Sequence, residues 1–181
     1  DLKDLLKRSN SPKSFIYTCN AGYIDSKSWI QDPEVGGGRL IGEACHFLDL
    51  LRFLAGSKIQ NLQMVSQKGI NPTPDNFVLQ VKFCDGSIGS INYFANGSKS
   101  FAKERLEVFC DGNIHRLDNF KKLTHWGNKR LKNKSILKQN KGQINCVRKF
   151  IEALKRNEDS PIDFKDLVEI QKWLITALKF D

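Results

Sequence analysis

The stretch GGGRLIGEACHFLDLLRFLAG, Gly36 to Gly56, carries Arg39, Glu43, His46, Asp49 and Arg52 along a segment that is mostly apolar. Glu43 and His46 are three residues apart, which makes them neighbours on a helix. A carboxylate beside an imidazole raises the imidazole pKa and orients the ring, and that pairing suits proton transfer to or from an alcohol near neutral pH. The same spacing also fits a plain ion pair on a helix surface. Arg39, Gly42, Glu43 and Asp49 flank His46, while Leu40, Ala44, Phe47, Leu48, Leu51, Leu54 and Ala55 recur at helical spacing on the other side. A helix from near Gly38 to a stop at Gly56 is expected, its apolar face on a core and its polar face toward a ligand.

Other residues can bind without reacting. Asn20 ends a strand-like run beside Ala21-Gly22, and Trp29 lies in the loop before the glycines. Both types suit a polyhydroxylated ligand, since amides bind hydroxyls and indoles stack on sugar faces; a turn Asn and a Trp filling its own loop are the alternatives. Arg39 and Lys99 are further candidates for substrate contact. Lys99, Lys103 and Arg105 can meet an anionic group or form a solvated turn. Gly36, Gly38 and Gly42 make GxGxxxG, one residue from the dinucleotide fingerprint, but a Pro33-containing loop precedes them rather than a strand. Gly37 and Gly38 are instead expected to let a cofactor-bearing domain come close. His115 and His125 have no partner at ligand spacing, and no metal site is expected.

The 181 residues are expected to form one domain able to bury a core. No apolar run approaches the roughly 20 residues needed to span a bilayer. No signal-peptide core stands at the amino end, which lacks a Met and is expected to be processed or cut from something longer. Five unpaired-looking cysteines, Cys19, Cys45, Cys84, Cys110 and Cys146, read as buried, reduced thiols of a cytoplasmic protein. The net charge of +9 is local, because residues 121–141 hold eight Lys/Arg and no Asp/Glu. With no aromatic platform or nucleic-acid motif beside it, that run reads as a solvated hairpin and loop, and nucleic acid is not the expected partner.

These residues need elements to position them. Residues 2–8 fit a short helix and SFIYTCNAGY (14–23) a strand. Period-two runs follow at 58–68, 76–83 and 87–95, at 104–120 around a DGN turn, and near 121–126; CDGS at 84–87 is a hairpin signal. Residues 142–158 place Ile144, Val147, Phe150, Ile151 and Leu154 on one helical face. A second amphipathic helix at 163–180 turns Leu167, Ile170, Trp173, Leu174 and Leu178 inward. The expected fold is α+β: an open, mostly antiparallel sheet of about six to seven strands with helices on one face. Sparse charge on its central strands points to self-association through the open sheet face.

Gly36–Gly56 resembles the helix that opens the carboxyl-terminal domain of the Gfo/Idh/MocA oxidoreductases, with their GGGxLxDxGxHxxD pattern. Gly36, Gly37, Gly38, Leu40, His46 and Asp49 match it. DNFVLQVKFCDGSIGSINYFANGSKSFAKERLEVFCDG is similar to the sheet of that domain, of the dihydrodipicolinate-reductase-like type. The resemblance covers about residues 13–178 and is nearest a subgroup in which the domain follows an alcohol-dehydrogenase-like region. It implies a Rossmann domain elsewhere in the parent chain that binds NAD or NADP, with this part supplying the substrate side. It further implies that the motif's Asp and His, with a lysine of the Rossmann half, handle the substrate's hydroxyl proton during hydride transfer. His46 stands at the family's histidine; the family's aspartate falls at Gly42, with Glu43 one place later.

The expected function is therefore the substrate-binding and oligomerisation half of a nicotinamide-dependent oxidoreductase acting on a sugar, sugar nucleotide or related polyol. It is expected to be inactive without its Rossmann domain and not to enter a membrane. A non-catalytic scaffold or dimerisation module that keeps the fold is the alternative, favoured by the missing side chain at Gly42.

Overall fold

A computed structural model describes residues 2–69 and 73–179. Helix α1 (Leu2–Leu6) precedes strand β1 (Ser14–Asn20), and a 3-10 turn at Trp29–Gln31 leads to the glycines. The expected helix starts at Gly38 but runs first through a π-helical turn, Leu40–Ala44, before α2 (Cys45–Ala55). Gly56 stops it, taking φ +74° where its N–H reaches back to Arg52. Strands β2 (Ile59–Ser66), β3 (Phe77–Phe83), β4 (Ile88–Phe94), β5 (Glu104–Cys110), β6 (Asn113–Asp118), β7 (Lys122–Trp126) and the two-residue β8 (Lys134–Ser135) follow. Helices α3 (Gln143–Arg156) and α4 (Phe164–Lys179) end the described chain; Phe180, included in the expected last helix, lies outside it.

The strands form one sheet in the order β2-β3-β4-β1-β5-β6-β7-β8. It is open and mostly antiparallel as expected, with eight strands instead of six to seven. The hairpin signals join β3 to β4 and β5 to β6. Local signals do not show that β1 slots between β4 and β5, parallel to β4. That insertion brings Tyr17 and Cys19 alongside Leu106 and Glu104.

One sheet face carries the core. Phe15, Tyr17, Leu79, Val81, Ile91, Tyr93, Leu106 and Val108 meet Leu48, Leu51 and Leu54 of α2 and Ile170 and Leu174 of α4. Every residue assigned to the apolar side of the motif helix is buried. An ion-pair cluster locks α2 to α4: Arg52 donates to Asp166 at 2.7 Å and to Glu169 at 2.9 Å, and Glu169 also accepts from the Ile59 N–H at 2.7 Å.

Two expectations fail. Helix α3 forms with its apolar stripe, but the stripe covers no sheet: Ile144 is 76% exposed and Leu154 60%, and Ala153 is its one buried residue. All five cysteines are free, yet Cys84 and Cys146 are exposed because they sit at a hairpin turn and on α3.

Candidate active site

The glycines set where the motif helix begins. Gly38 is buried at φ +76°, and a Cβ there would lie 2.5 Å from Thr73 Oγ1. A side chain is therefore excluded by both backbone strain and collision. At Gly37 the Cβ position is met by Ile41, and at Gly36 by the backbone of Trp29 and Ile30. At each of the three positions the space for a side chain is taken by the chain's own atoms, so close packing at the helix start accounts for the glycines. Gly42 differs: an added Cβ meets only the Gly36 carbonyl oxygen, at 3.4 Å. Crowding does not account for the missing aspartate.

The π turn brings Arg39 and Glu43 together beneath the helix. Arg39 is 1% exposed; its Nε donates to Tyr93 Oη at 2.6 Å and lies 3.3 Å from Glu43 Oε1, and Nη1 donates to the Gly22 carbonyl at 2.8 Å. Tyr93 Oη in turn donates to Glu43 Oε2 at 2.8 Å. Tyr93 is itself stacked on Phe77, ring centroids 4.8 Å apart. A buried guanidinium needs such a full set of partners. Arg39, expected at the substrate, is thus spent inside the fold, where it fixes Glu43. The Glu43 carboxylate is held by Arg39 and Tyr93 and not by a bond to His46, the contact the three-residue spacing suggested.

Glu43 and His46 nonetheless line one cavity of about 480 Å³. Helix α2 supplies Phe47 and Asp49 beside them, and the sheet supplies Tyr17 and Glu104. Lys103 and Lys141 complete its charged rim. Asp49 is pushed above the ordinary carboxyl range by burial; Arg52 pulls it back, Asp166 adds to the rise, and His46 opposes it more weakly. Glu104 is 4% exposed, and Lys141 Nζ lies 2.9 Å from each of its oxygens, donating to Oε1. Tyr17 is 1% exposed, stacked on Phe47 at 4.6 Å, and its hydroxyl has no hydrogen-bond partner. Burial above all, then the Glu104 charge, holds this phenol protonated far above its ordinary range. A larger depression of about 950 Å³ lies between α4 and the β2–β3 end. Its carboxylates Asp166 and Glu169 are engaged by Arg52 and the Ile59 N–H, so it offers less unspent chemistry.

Other expected binding residues lie apart from this cavity's lining. Asn20 Nδ2 donates to the Ser98 carbonyl at 2.7 Å, tying the β4–β5 loop to the end of β1. Lys99, exposed in that loop, has its aliphatic stem nearest the Gly22 Cβ position. Trp29 is 66% exposed on its 3-10 turn and fills no loop core. His115 and His125, read as unpartnered, pair across β6 and β7 with Nδ1 atoms 2.8 Å apart.

Tyr17, Glu104 and Lys141 were not singled out from sequence. Glu104 had a signal: it is in phase with Leu106, Val108 and Cys110 on a period-two strand, a carboxylate at a core position. Tyr17 looked like any aromatic strand residue, and Lys141 was one lysine of a basic run.

Residues 13–114, just over half of the chain, match the GFO/IDH/MocA C-terminal domain family. The chain belongs to this family. No curated protein matches it. Among solved structures it is similar to UDP-N-acetylglucosamine 3-dehydrogenase GnnA from Acidithiobacillus ferrooxidans: 15% identity, 98% of this chain and 55% of that one, TM-score 0.69. It is similar to an aldose-aldose oxidoreductase from Caulobacter crescentus, solved with glycerol: 14% identity, 98% and 56%, TM-score 0.79. It is also similar to an NAD binding oxidoreductase from Klebsiella pneumoniae: 16% identity, 99% and 61%, TM-score 0.76. At these identities the likeness is one of fold. The chain spans little more than half the length of each. Among the described residues no helix is long and apolar enough to cross a membrane.

Proposed function

We propose that this chain is the substrate-binding and oligomerisation domain of a nicotinamide-dependent oxidoreductase acting on a sugar, sugar nucleotide or related polyol. The observation that carries it is the cavity that holds the motif's His46 with Glu43 and Asp49, in a chain of this family. The domain is one α+β unit of a longer cytoplasmic polypeptide. NAD or NADP, when bound by a Rossmann domain outside this chain, supplies or accepts the hydride.

This chain's residues handle the proton. His46, free of the buried network, takes the substrate hydroxyl proton as oxidation proceeds and returns it in reduction. Glu43, anchored by Arg39 and Tyr93, lines the same cavity as that ring and presents its carboxylate to the ligand. Asp49 adds a second carboxylate, and Phe47 and Tyr17 supply an apolar wall. Asn20, Lys99 and Trp29 lie outside the cavity lining, and a role for them in binding rests on their residue types alone.

Two surfaces are left for partners. The apolar stripe of α3 receives the cofactor domain, the part of comparable length that the solved relatives carry beyond this match. The open sheet face, with Ile88 53% and Trp126 44% exposed among polar neighbours, receives a second copy. The scaffold alternative draws on Gly42, which has room for the family's aspartate and lacks it.

The test is hydride transfer between NAD(P)H and a sugar and polyol panel, by the full-length polypeptide and by this 181-residue chain. The full-length protein is expected to turn over and the chain alone to be silent. Turnover by the chain alone, or silence of both across the panel, contradicts the proposal.

A further inference from the structure

We propose that Phe120 is a specificity-determining contact of the His46 cavity, held in a strained turn so that its aromatic face packs on the carbon face of a ring-closed substrate. This rests on the reading of that cavity as the substrate site.

The first observation is in the backbone. The turn from β6 to β7 is closed by the Lys121 N–H, which donates to the Asp118 carbonyl at 2.9 Å. Its two central residues are left-handed, Asn119 at φ +49° and Phe120 at φ +52°. Asn-Gly and Asp-Gly are the usual occupants of such a pair of positions, because a Cβ at positive φ crowds the backbone. The neighbouring β5–β6 turn keeps to that rule with Asp111-Gly112. Among the described residues the other non-glycine residues at positive φ are Asp111, Asn119 and Asn157, types that tolerate it; Phe120 is the exception.

Such strain persists only where the surroundings fix it, and two segments do so here. From β5, the Glu104 carbonyl accepts from the Asn119 N–H at 2.7 Å. From the segment before α3, Gln139 Nε2 donates to the Asn119 carbonyl at 2.9 Å and the Asn140 N–H to the Phe120 carbonyl at 3.4 Å. Lys141 Nζ lies 5.7 Å from the centre of the Phe120 ring while paired with Glu104 at 2.9 Å.

Core packing does not account for the ring. Phe120 is partly buried, yet it belongs neither to the buried cluster nor to the apolar residues packed against that cluster. It lines the cavity instead, with His46 and Glu43. The other two aromatic residues of the lining, Tyr17 and Phe47, are buried and stacked on each other, whereas Phe120 keeps part of its ring open. An open aromatic face gives C–H groups a hydrophobic surface. A closed sugar or cyclitol ring brings such groups as one preorganised face; an open chain must first be ordered, at a cost in conformational entropy. The contact therefore favours rings over open chains.

The experiment is steady-state turnover of the full-length polypeptide with NAD or NADP. Myo-inositol, D-glucose and UDP-glucose are the ring-closed substrates, D-glucitol and D-mannitol the open-chain ones. Wild type is expected to show the higher kcat/KM with a ring-closed substrate. Phe120→Gly relieves the backbone, so its melting temperature is expected to hold or rise. Its KM for the best ring-closed substrate should nonetheless rise about threefold to tenfold, the worth of one aromatic contact, with kcat changed by less than about twofold. Phe120→Tyr, which restores an aromatic face, should bring KM most of the way back. An unchanged KM in Phe120→Gly, with turnover still lost in His46→Ala, overturns the contact and leaves the active-site assignment standing. A raised KM with a lowered melting temperature marks a folding residue and also overturns it, as does a Phe120→Tyr variant as impaired as Phe120→Gly. Equal or better use of the open-chain substrates by wild type does the same. Turnover of no substrate by wild type overturns both the contact and the site beneath it.

Discussion

Helices α2 and α3 carry the same kind of apolar stripe and meet opposite fates. In α2, Leu48 and Leu51 are fully buried against the sheet, and Arg52 ties the helix to α4. In α3, Ile144, Val147 and Leu154 stand in solvent, and its ion pair, Arg156 to Glu158, is long at 3.9 Å and exposed. Periodicity tells that a face seeks burial; it does not tell what buries it. Where the partner belongs to the same domain, the core closes over the helix. The stripe on α3 is left uncovered by the described residues, and a further domain of a longer polypeptide is the partner proposed above.

Core substitutions should separate the two helices most. Leu51→Ala is expected to destabilise this chain by about 2–5 kcal/mol, the usual loss for a buried leucine. Ile151→Ala should change it by less than about 0.5 kcal/mol. Chemical denaturation of the two variants measures both, and similar losses would erase the contrast.

The ion pairs give the next effect. Arg52→Ala leaves Asp166 and Glu169 without their shared cation and is expected to cost about 1–2 kcal/mol, reduced from the fully buried case because Asp166 is partly solvated. Arg156→Ala should be neutral within about 0.5 kcal/mol. Thermal melts of both check this.

Adding the cofactor domain should move only α3. Amide exchange of Gln143–Arg156 is expected to slow in the full-length polypeptide relative to the isolated chain, while α2 stays equally protected in both. Unchanged exchange in α3 would remove that helix from the interdomain surface.

The smallest effect concerns the histidine pair at the far end of the sheet. Burial, with a contribution from His125, holds His115 below its ordinary value near 6.5, and burial and Lys134 do the same to His125. The unfolded chain then binds more protons than the folded one. Stability is therefore intact above about pH 6.5 and declines as pH falls below it. Melts between pH 7.5 and 5 should show that decline, and His115→Phe should flatten it.

Much of the fold was written in local patterns. The strand periods, two Asp-Gly turns, the glycine stop and all seven buried positions of the motif helix could be read directly. The insertion of β1 beside β4 could not, because a parallel pairing across some 70 residues leaves no turn signal. The candidate His46 could be picked out as one of the polar residues along the side of the motif helix opposite its apolar stripe, and it lines the cavity described above. The site was misread at Arg39, since helix phase alone does not reveal a π turn that tucks the guanidinium beneath Tyr93. Tyr17 and Glu104 are brought to one cavity only by the insertion of β1 beside β5, which no local pattern shows.

The most direct test is His46→Ala in the full-length polypeptide, reading turnover and ligand affinity separately. The account predicts that kcat falls by about 10²–10⁴, the usual worth of a general acid–base group, while the Kd for the polyol changes little. A variant that keeps its kcat would contradict it and leave the domain a scaffold.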